Sequence, residues 1–510
     1  MTHNPSPSFT AVGRRRSAVS FIFTVVCGLW SAVVICPLRF VLCALLLIFC
    51  PVRARAADWS GSVDASFRLF DQDHLDELVS TSPANRFYFA PPAQNGFDAY
   101  AVLRPAVKLR LGFLEAGLGL DTGDISYHAI DDGQLADRAK NTYFLERAEF
   151  QAFLFHSGWL SLRGGFWPVN SASGYLVSYS LLGFEAEGDL DIPLAFPLNF
   201  WIRGNKVDPE KFFDPDQKCF LVEGGAGYAL GRKGRLKVFY DYFSDPDNFF
   251  KDLLNPILER ALTQRFGEAY RQLLEGFGGV IKESSDRLHY LGASVEKEIG
   301  AFSGRGILIY QFGEMDLSGE VPRLRQAPLE FSEQVPIRGE LLDISLGLRP
   351  HRKIRLEGGI FWSSGDGFRK LKPEQAGAGL EINGFFSILP QITKTNLFFN
   401  GGISENLFTG AAQASGIDGH GVMAPVISAS LDPLRRLSLD FTGALLLAQE
   451  GRVNGGSRYG EEFDLTLSYR PLRELSGLFE GDILFPGDFF PAGSDPVWRL
   501  SAGADYRFEF

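Results

Sequence analysis

The ionisable side chains of this chain fall at every second position of short, otherwise apolar segments. That spacing suits sorting of solutes by fixed charge better than it suits bond-making chemistry. The basic members are Arg104, Lys108, Arg110, Arg147, Arg163, Arg203, Lys353, Arg355 and Arg499. The acidic members are Glu185, Glu187, Asp189, Asp440, Glu462, Asp464, Glu480 and Asp482. Arranged around a narrow wet passage, such groups would select by charge. Paired with one another, they would instead form a neutral network that holds a wall and selects little. Bases gather early in the chain and acids late, so opposite charges would meet wherever the first and last segments become neighbours.

Other chemistries find little material. His74, His128, His156, His289, His351 and His420 include no ligand-spaced pair, and His156-Ser157 reads as a tight turn in preference to a nucleophile and its base. No Gly-rich phosphate loop, His-Glu-x-x-His or paired-Cys motif occurs. Asp214-Pro-Asp216 and Asp245-Pro-Asp247 have the ligands for a divalent cation, but turn formation explains them more simply. The expectation is therefore a protein that is not an enzyme and has no cofactor and no metal. The net charge of −11 argues against a nucleic-acid partner.

The elements that would position these charges are strands. In Trp498–Phe510 one face carries Trp498, Leu500, Ala502, Ala504, Tyr506, Phe508 and Phe510; the other carries Arg499, Ser501, Gly503, Asp505, Arg507 and Glu509. Leu437–Leu447, Glu462–Arg470, Lys353–Trp362, Leu182–Leu190 and Leu103–Leu111 repeat the pattern of one oily and one polar face. In a transmembrane barrel the oily face meets lipid and the polar face lines a wet interior.

Connection lengths point the same way. Short turns (Leu111–Phe113, His156–Gly158, Gly231–Gly234, Gly300–Gly304, and the similar Arg349–Ile354, Asp432–Leu437 and Arg470–Leu475) alternate with long polar connections. The long set is Asp71–Gly96, Ser126–Ala139, Val207–Gln217, Met315–Val335 and Ser404–Gly419. Short periplasmic turns opposite long external loops predict an all-β, antiparallel up-and-down barrel of roughly 18–22 strands over residues 57–510. One stretch departs from this: Leu253–Phe277 has helical spacing and predicts a helical insertion at 250–280 in an external loop, capping the mouth, folding into the lumen or docking a partner.

Residues 1–56 resemble an export signal, with Arg14–Arg16 ahead of an apolar run and Ala54-Arg55-Ala56 as the cleavage site. The stretch from Leu38 to Ala56 alone forms an ordinary leader, which places the functional start near residue 38. The leader holds Cys27, Cys36, Cys43 and Cys50, leaving only Cys219 beyond it. It also holds six Arg and no acid, so export makes the protein more acidic.

The alternating aromatics that end in Phe510 resemble the C-terminal strand of bacterial outer-membrane barrels. That resemblance implies insertion by the barrel-assembly machinery into outer-membrane lipid. Phe485-Pro-Gly-Asp-Phe-Phe490, with Leu162-Arg-Gly-Gly-Phe and Leu182-Gly-Phe-Glu-Ala, is similar to the alginate-export family of channels, although that family's strongly basic lumen is not matched by this mixed interior. The expectation is a channel for small hydrophilic solutes or an anionic polysaccharide. The alternative is a scaffold barrel sheathing a partner protein, such as an electron-transfer conduit or a secretion component. N-terminal sequencing of the exported protein should begin at Ala57, and retention of Phe21–Cys50 would refute the leader.

Overall fold

The computed structural model describes residues 58–73, 96–111, 113–121, 125–129, 135–136, 144–154, 159–192, 196–207, 219–245, 281–321, 329–366, 382–388, 392–399, 416–451 and 456–510. The first strands are β1 (Asp58–Asp73), β2 (Gly96–Leu111), β3 (Leu114–Asp121), β4 (Ile125–Ala129), β5 (Leu135–Ala136), β6 (Phe144–Leu154) and β7 (Leu160–Ser171). They are followed by β8 (Val177–Ile192), β9 (Phe196–Lys206), β10 (Phe220–Ala229), β11 (Gly234–Asp245), β12 (Ile281–Ile299), β13 (Phe302–Val321) and β14 (Leu329–His351). The chain finishes with β15 (Ile354–Ser363), β16 (Val422–Leu434), β17 (Leu437–Leu447), β18 (Arg458–Tyr469), β19 (Leu475–Pro486) and β20 (Val497–Glu509).

All twenty belong to one sheet in which each strand pairs antiparallel with its neighbours. Strands β4 and β5 form a small hairpin on the end of β2, and β3 pairs directly with β6, so eighteen strands make the circumference. The sheet closes because β1 pairs with β20 from Ser62↔Glu509 to Asp73↔Trp498. Closure leaves no open edge, as a β-sheet in hydrocarbon requires. The Gly61 and Phe510 backbones exchange bonds of 2.9 and 3.0 Å at the same end. The Phe510 ring lies where a β-carbon on Gly61 would stand, at 2.4 Å, so this glycine lets the terminal aromatic lie flat on the wall.

The register assigns the faces as the alternation predicts. Val63 is opposite Phe508, Ala65 opposite Tyr506, Phe441 opposite Leu465 and Ile344 opposite Ile360. Large apolar side chains stay exposed around the outside, including Phe184, Ile202, Leu308, Ile427, Phe463 and Leu465. A continuous apolar exterior of this extent on a soluble protein would drive association, whereas facing hydrocarbon it is at rest. An aromatic group of Tyr240, Tyr242, His289 and Phe312 lies on this outer face, with the Tyr240 hydroxyl 2.6 Å from His289 Nδ1. Such groups form the girdle at a membrane interface.

Two expectations are revised. The polar connection Met315–Val335 is mostly strand, with β13 running to Val321 and β14 starting at Leu329. Met315, Leu317, Val335 and Ile337 are buried inside the barrel, while Asp316 and Gln334, paired with each other, stand on the opposite face of these long ribbons. The expected loop Ser404–Gly419 is only the end of a longer connection from β15 to β16, part of which enters the lumen. The helical insertion at 250–280 lies outside the described residues. Among the described residues no helix is long and apolar enough to cross a membrane, so the crossing is made by strands.

Leu465→Arg places a cation on the lipid face beside Phe441 and should cost roughly 2–4 kcal/mol in the midplane region. Thr466→Arg, one residue along on the inner face opposite Glu480, should cost far less. Urea unfolding of the refolded barrel in lipid compares the two; equal costs would contradict the assignment of faces.

Candidate functional site: a segment folded into the lumen

The inner faces of the strands are not uniformly polar. Away from the short turns, β11 to β18 carry Phe239, Phe243, Leu288, Tyr290, Ile309, Phe361, Leu446 and Tyr459 on these faces, all buried. These apolar positions face residues 382–388 and 392–399 of the β15–β16 connection, whose Phe385, Phe386, Ile388, Leu397, Phe398 and Phe399 are buried among them. Phe399 stands edge-on to Phe361 at 5.1 Å, Phe398 packs on Tyr459 at 5.1 Å and Phe385 meets Tyr290 at 6.1 Å. Each buried Phe stabilises the arrangement by roughly 1.5–3 kcal/mol over exposure, more than a typical hydrogen bond at about 1 kcal/mol. Apolar burial therefore holds the segment in the barrel, and polar contacts set its register.

Those polar contacts reach several walls. Ile382 pairs in parallel with Ile337 of β14, bonding the Pro336 carbonyl and the Arg338 amide at 3.0 and 2.8 Å. The Phe386 amide donates to Gln311 Oε1 at 2.8 Å, and the Phe386 carbonyl accepts from the Tyr290 hydroxyl at 3.1 Å. The Ile388 amide reaches the Leu176 carbonyl, in the turn after β7, at 3.1 Å. Lys394 bonds Asp343 of β14 at 2.6 Å, and the Tyr175 hydroxyl donates to the same carboxylate.

On the far wall β18 to β20 present Glu462, Asp464, Glu480, Asp482 and Arg499, all buried. The Glu462 carboxylate accepts from Thr395 Oγ1 at 2.7 Å and from the amides of Leu397 and Phe398 at 2.5 and 3.0 Å. Asp464 accepts from the Asn396 amide at 3.2 Å, and Asp482 from Asn396 Nδ2 at 2.8 Å. Arg499 bridges Asp482 at 3.1 Å, Glu480 at 3.2 Å and the Asn396 carbonyl at 3.1 Å. One guanidinium thus serves several acids, and consecutive backbone amides of the segment supply the remaining positive ends of dipoles. Removing one partner from a buried network of this kind leaves charge without compensation, which is costly.

A second charge row runs around the wall below. Glu149 of β6 meets Arg163 of β7; Arg163 faces Glu185 of β8 at 4.0 Å; Glu185 meets Arg203 of β9 at 3.5 Å; and Arg203 continues to Glu223 of β10. Arg163 also lies over the Trp167 ring at 5.1 Å. Signs alternate from strand to strand because inward positions of neighbouring strands stand opposite one another in register. At the short-turn end Arg305 and Arg355 share Glu357 at 3.1 and 2.6 Å, lining a water-accessible cavity of about 500 Å³.

The structure places the sequence-derived charges as follows. Arg163, Glu185 and Arg203 come together in the row from β6 to β10, with Glu187 and Asp189 linked to each other through Asn199. Glu462, Asp464, Glu480, Asp482 and Arg499 come together under the inserted segment. Arg355 joins the short-turn cluster, while Lys353 bonds the Pro433 carbonyl in a turn at 3.0 Å. Lys108 pairs with Glu115, and Arg110 lies over Phe153 at 5.9 Å, apart from either network. Arg104 lies opposite Asp64 in the β1–β2 register, and Asp440 stands between Ser430 and Thr466. The side chain of Arg147 lies outside the described residues. Across the seam the charges that meet are Arg68 with Asp505 at 2.7 Å and Asp64 with Arg507 at 2.6 Å.

Sequence reasoning missed Asp343, Lys394, Thr395, Asn396, Gln311 and Tyr290. A signal existed: residues 384–399, Gly-Phe-Phe-Ser-Ile-Leu-Pro-Gln-Ile-Thr-Lys-Thr-Asn-Leu-Phe-Phe, are too apolar for a loop bathed in water. The inward Phe361, between Gly359 and Ser363, was a second sign.

No protein-family model and no curated relative matches the chain. Solved structures with a similar course include Pseudomonas aeruginosa OccK1 (OpdK), at 12% identity and a TM-score of 0.47, covering 89% of this chain and 99% of that one. A BenF-like porin from Pseudomonas fluorescens shows 10% identity and a TM-score of 0.47, covering 89% and 99%. Acinetobacter baumannii OccAB1 shows 10% identity and a TM-score of 0.48, covering 89% and 97%. The chain's own strand pairing carries the assignment: a closed, even-stranded barrel with an apolar exterior and a charged interior. It is a membrane-spanning β-barrel.

Glu462→Ala removes the acceptor for three of the segment's donors. Trypsin cleavage after Lys394 should accelerate by about tenfold or more, the equivalent of one lost charge-assisted bond. An unchanged cleavage rate would show that packing alone holds the segment.

Proposed function

We propose that the protein is a channel through which small hydrophilic solutes cross the outer membrane. The observation that supports this most directly is the inserted segment, tied to β14 by Lys394 and to β18–β20 by Thr395–Phe398. It narrows an eighteen-strand barrel to passages bordered by paired charges. A wall of alternating sign suits solutes of moderate size that exchange water for polar contacts one group at a time. Among the described residues no metal-ligand cluster accompanies these charges.

An anionic polysaccharide remains the finer alternative for the cargo, and the exposed guanidinium groups of Arg305 and Arg355 are what favour it. The inserted segment counts against it, because a polymer needs a bore that its widest repeat can pass. The scaffold reading requires room for a protein inside, which the same segment occupies.

Planar-bilayer recording of the pure protein tests the proposal. Discrete conductance steps are expected, and deletion of residues 382–399 should enlarge the unit conductance by about twofold or more, since removing a constriction widens the path that limits flow. A protein that inserts without conducting, yet retains a stoichiometric partner through purification, would overturn the channel in favour of the scaffold.

A further inference from the structure

Beside the charge row, the wall holds a recess of about 250 Å³. Its floor is aromatic. Trp201 of β9 faces inward, opposite Glu187 of β8 on one side and Gly225 of β10 on the other. A β-carbon on Gly225 would stand 2.4 and 2.7 Å from the six-membered ring of that indole, so the glycine makes room for the ring, which lines the recess. The pattern repeats next door: Phe239 of β11 lies over Gly292 of β12, whose β-carbon would stand 2.1 Å from the ring.

Around the indole stand planar polar groups already joined to one another. Asn199 Nδ2 donates to Glu187 Oε1 at 3.1 Å, and Arg235 donates to Asn199 Oδ1 at 3.3 Å. Lys237 completes this side. The opposite rim is the turn after β7, where Ala172 and Ser173 adopt φ of 48° and 59°. Two consecutive non-glycine residues in the left-handed region are strained, and such strain gathers where a backbone must be held against a ligand.

We infer that this recess is a binding site for the ring of a neutral sugar. The inference rests on the channel reading and names a substrate class for it. A pyranose has one face of C–H groups, which carries slight positive charge and packs on the negative face of an aromatic ring. Its hydroxyls project around the edge, where each both donates and accepts. Glu187, Asn199 and Arg235 offer acceptors, donors and paired planar groups at that edge. The lining carries Arg203, Arg235 and Lys237 against Glu185, Glu187, Glu223 and Asp241, so the two signs nearly offset and the site presents only a small net field for a charged ligand. Its volume lies below the roughly 300–1,000 Å³ of sites for drug-sized ligands, which fits one ring and not a chain.

The experiment uses the full mature barrel and D-glucose as probe, with L-glutamate and benzoate as charged comparisons. Glucose should interrupt the open-channel current in a concentration-dependent manner. Trp201→Ala should weaken the apparent affinity by about tenfold, whereas Trp201→Phe, which keeps a ring, should retain it within about threefold. Asn199→Ala should weaken it as well, by removing the amide that joins Glu187 to Arg235. Interruptions by glucose that are indifferent to Trp201→Ala, or interruptions by the anions alone, would overturn the sugar site. Isothermal titration of glucose into the detergent-solubilised protein is the second readout. Binding lost in Trp201→Ala, in a barrel that never conducts, would sink the channel and leave the site standing; conductance without glucose binding would do the reverse.

Discussion

Everything in this molecule depends on the pairing of its first strand with its last. In hydrocarbon an amide or carbonyl without a partner costs several kcal/mol, so a sheet can persist there only with no edge. The β1–β20 ladder removes both edges at once, and the Gly61–Phe510 contact seals the end of the ladder at the C-terminus. Because the strands then run around a closed wall, the two-residue period of each one divides the whole chain into an outside and an inside. Hydrophobic positions need no protein core on the outer side, and the inner side is released for other uses.

Those uses differ along the axis. Away from the short turns, the interior is filled with Phe, Ile, Leu and Tyr that would be a liability against water and become a core once residues 382–388 and 392–399 fold in among them. At the middle and the short-turn end the interior is ionic, with acids and bases set on neighbouring strands at contact distance. The two regions meet at the Lys394–Asp343 pair and at the Glu462–Arg499 network, where the segment's backbone amides act as the counter-charge for buried carboxylates. A passage bounded in this way is shaped by packing and tuned by charge, and a substitution in either region bears on the other through a few shared residues.

The charged residues picked out from the sequence were chosen for their place on a polar face, and that criterion finds inward positions without saying what occupies the space they face. Glu462 and Asp464 look the same in sequence as Glu185 and Glu187: acids alternating with apolar residues. In the structure the former are buried beneath a folded segment, while Glu185 and Glu187 border an open recess. Trp201 was not picked out because an aromatic on an inward position carries no charge, and only the ring lying over Gly225 turns it into a surface.

What the sequence determined by itself is the wall. Period-two alternation, the spacing of turns and the terminal aromatic strand are local properties, each set by neighbours a few residues away, and together they dictate strands, faces and an approximate strand number. What the tertiary structure alone decided is the content of the wall. Lys394 and Asp343 are 51 residues apart, Leu397 and Glu462 are 65, and Asp64 and Arg507 are 443. Contacts at such separations follow from closure and from where a long connection finds apolar partners, which no local pattern encodes. The same alternation that announces an inside leaves open whether water, a ligand or the chain itself will fill it.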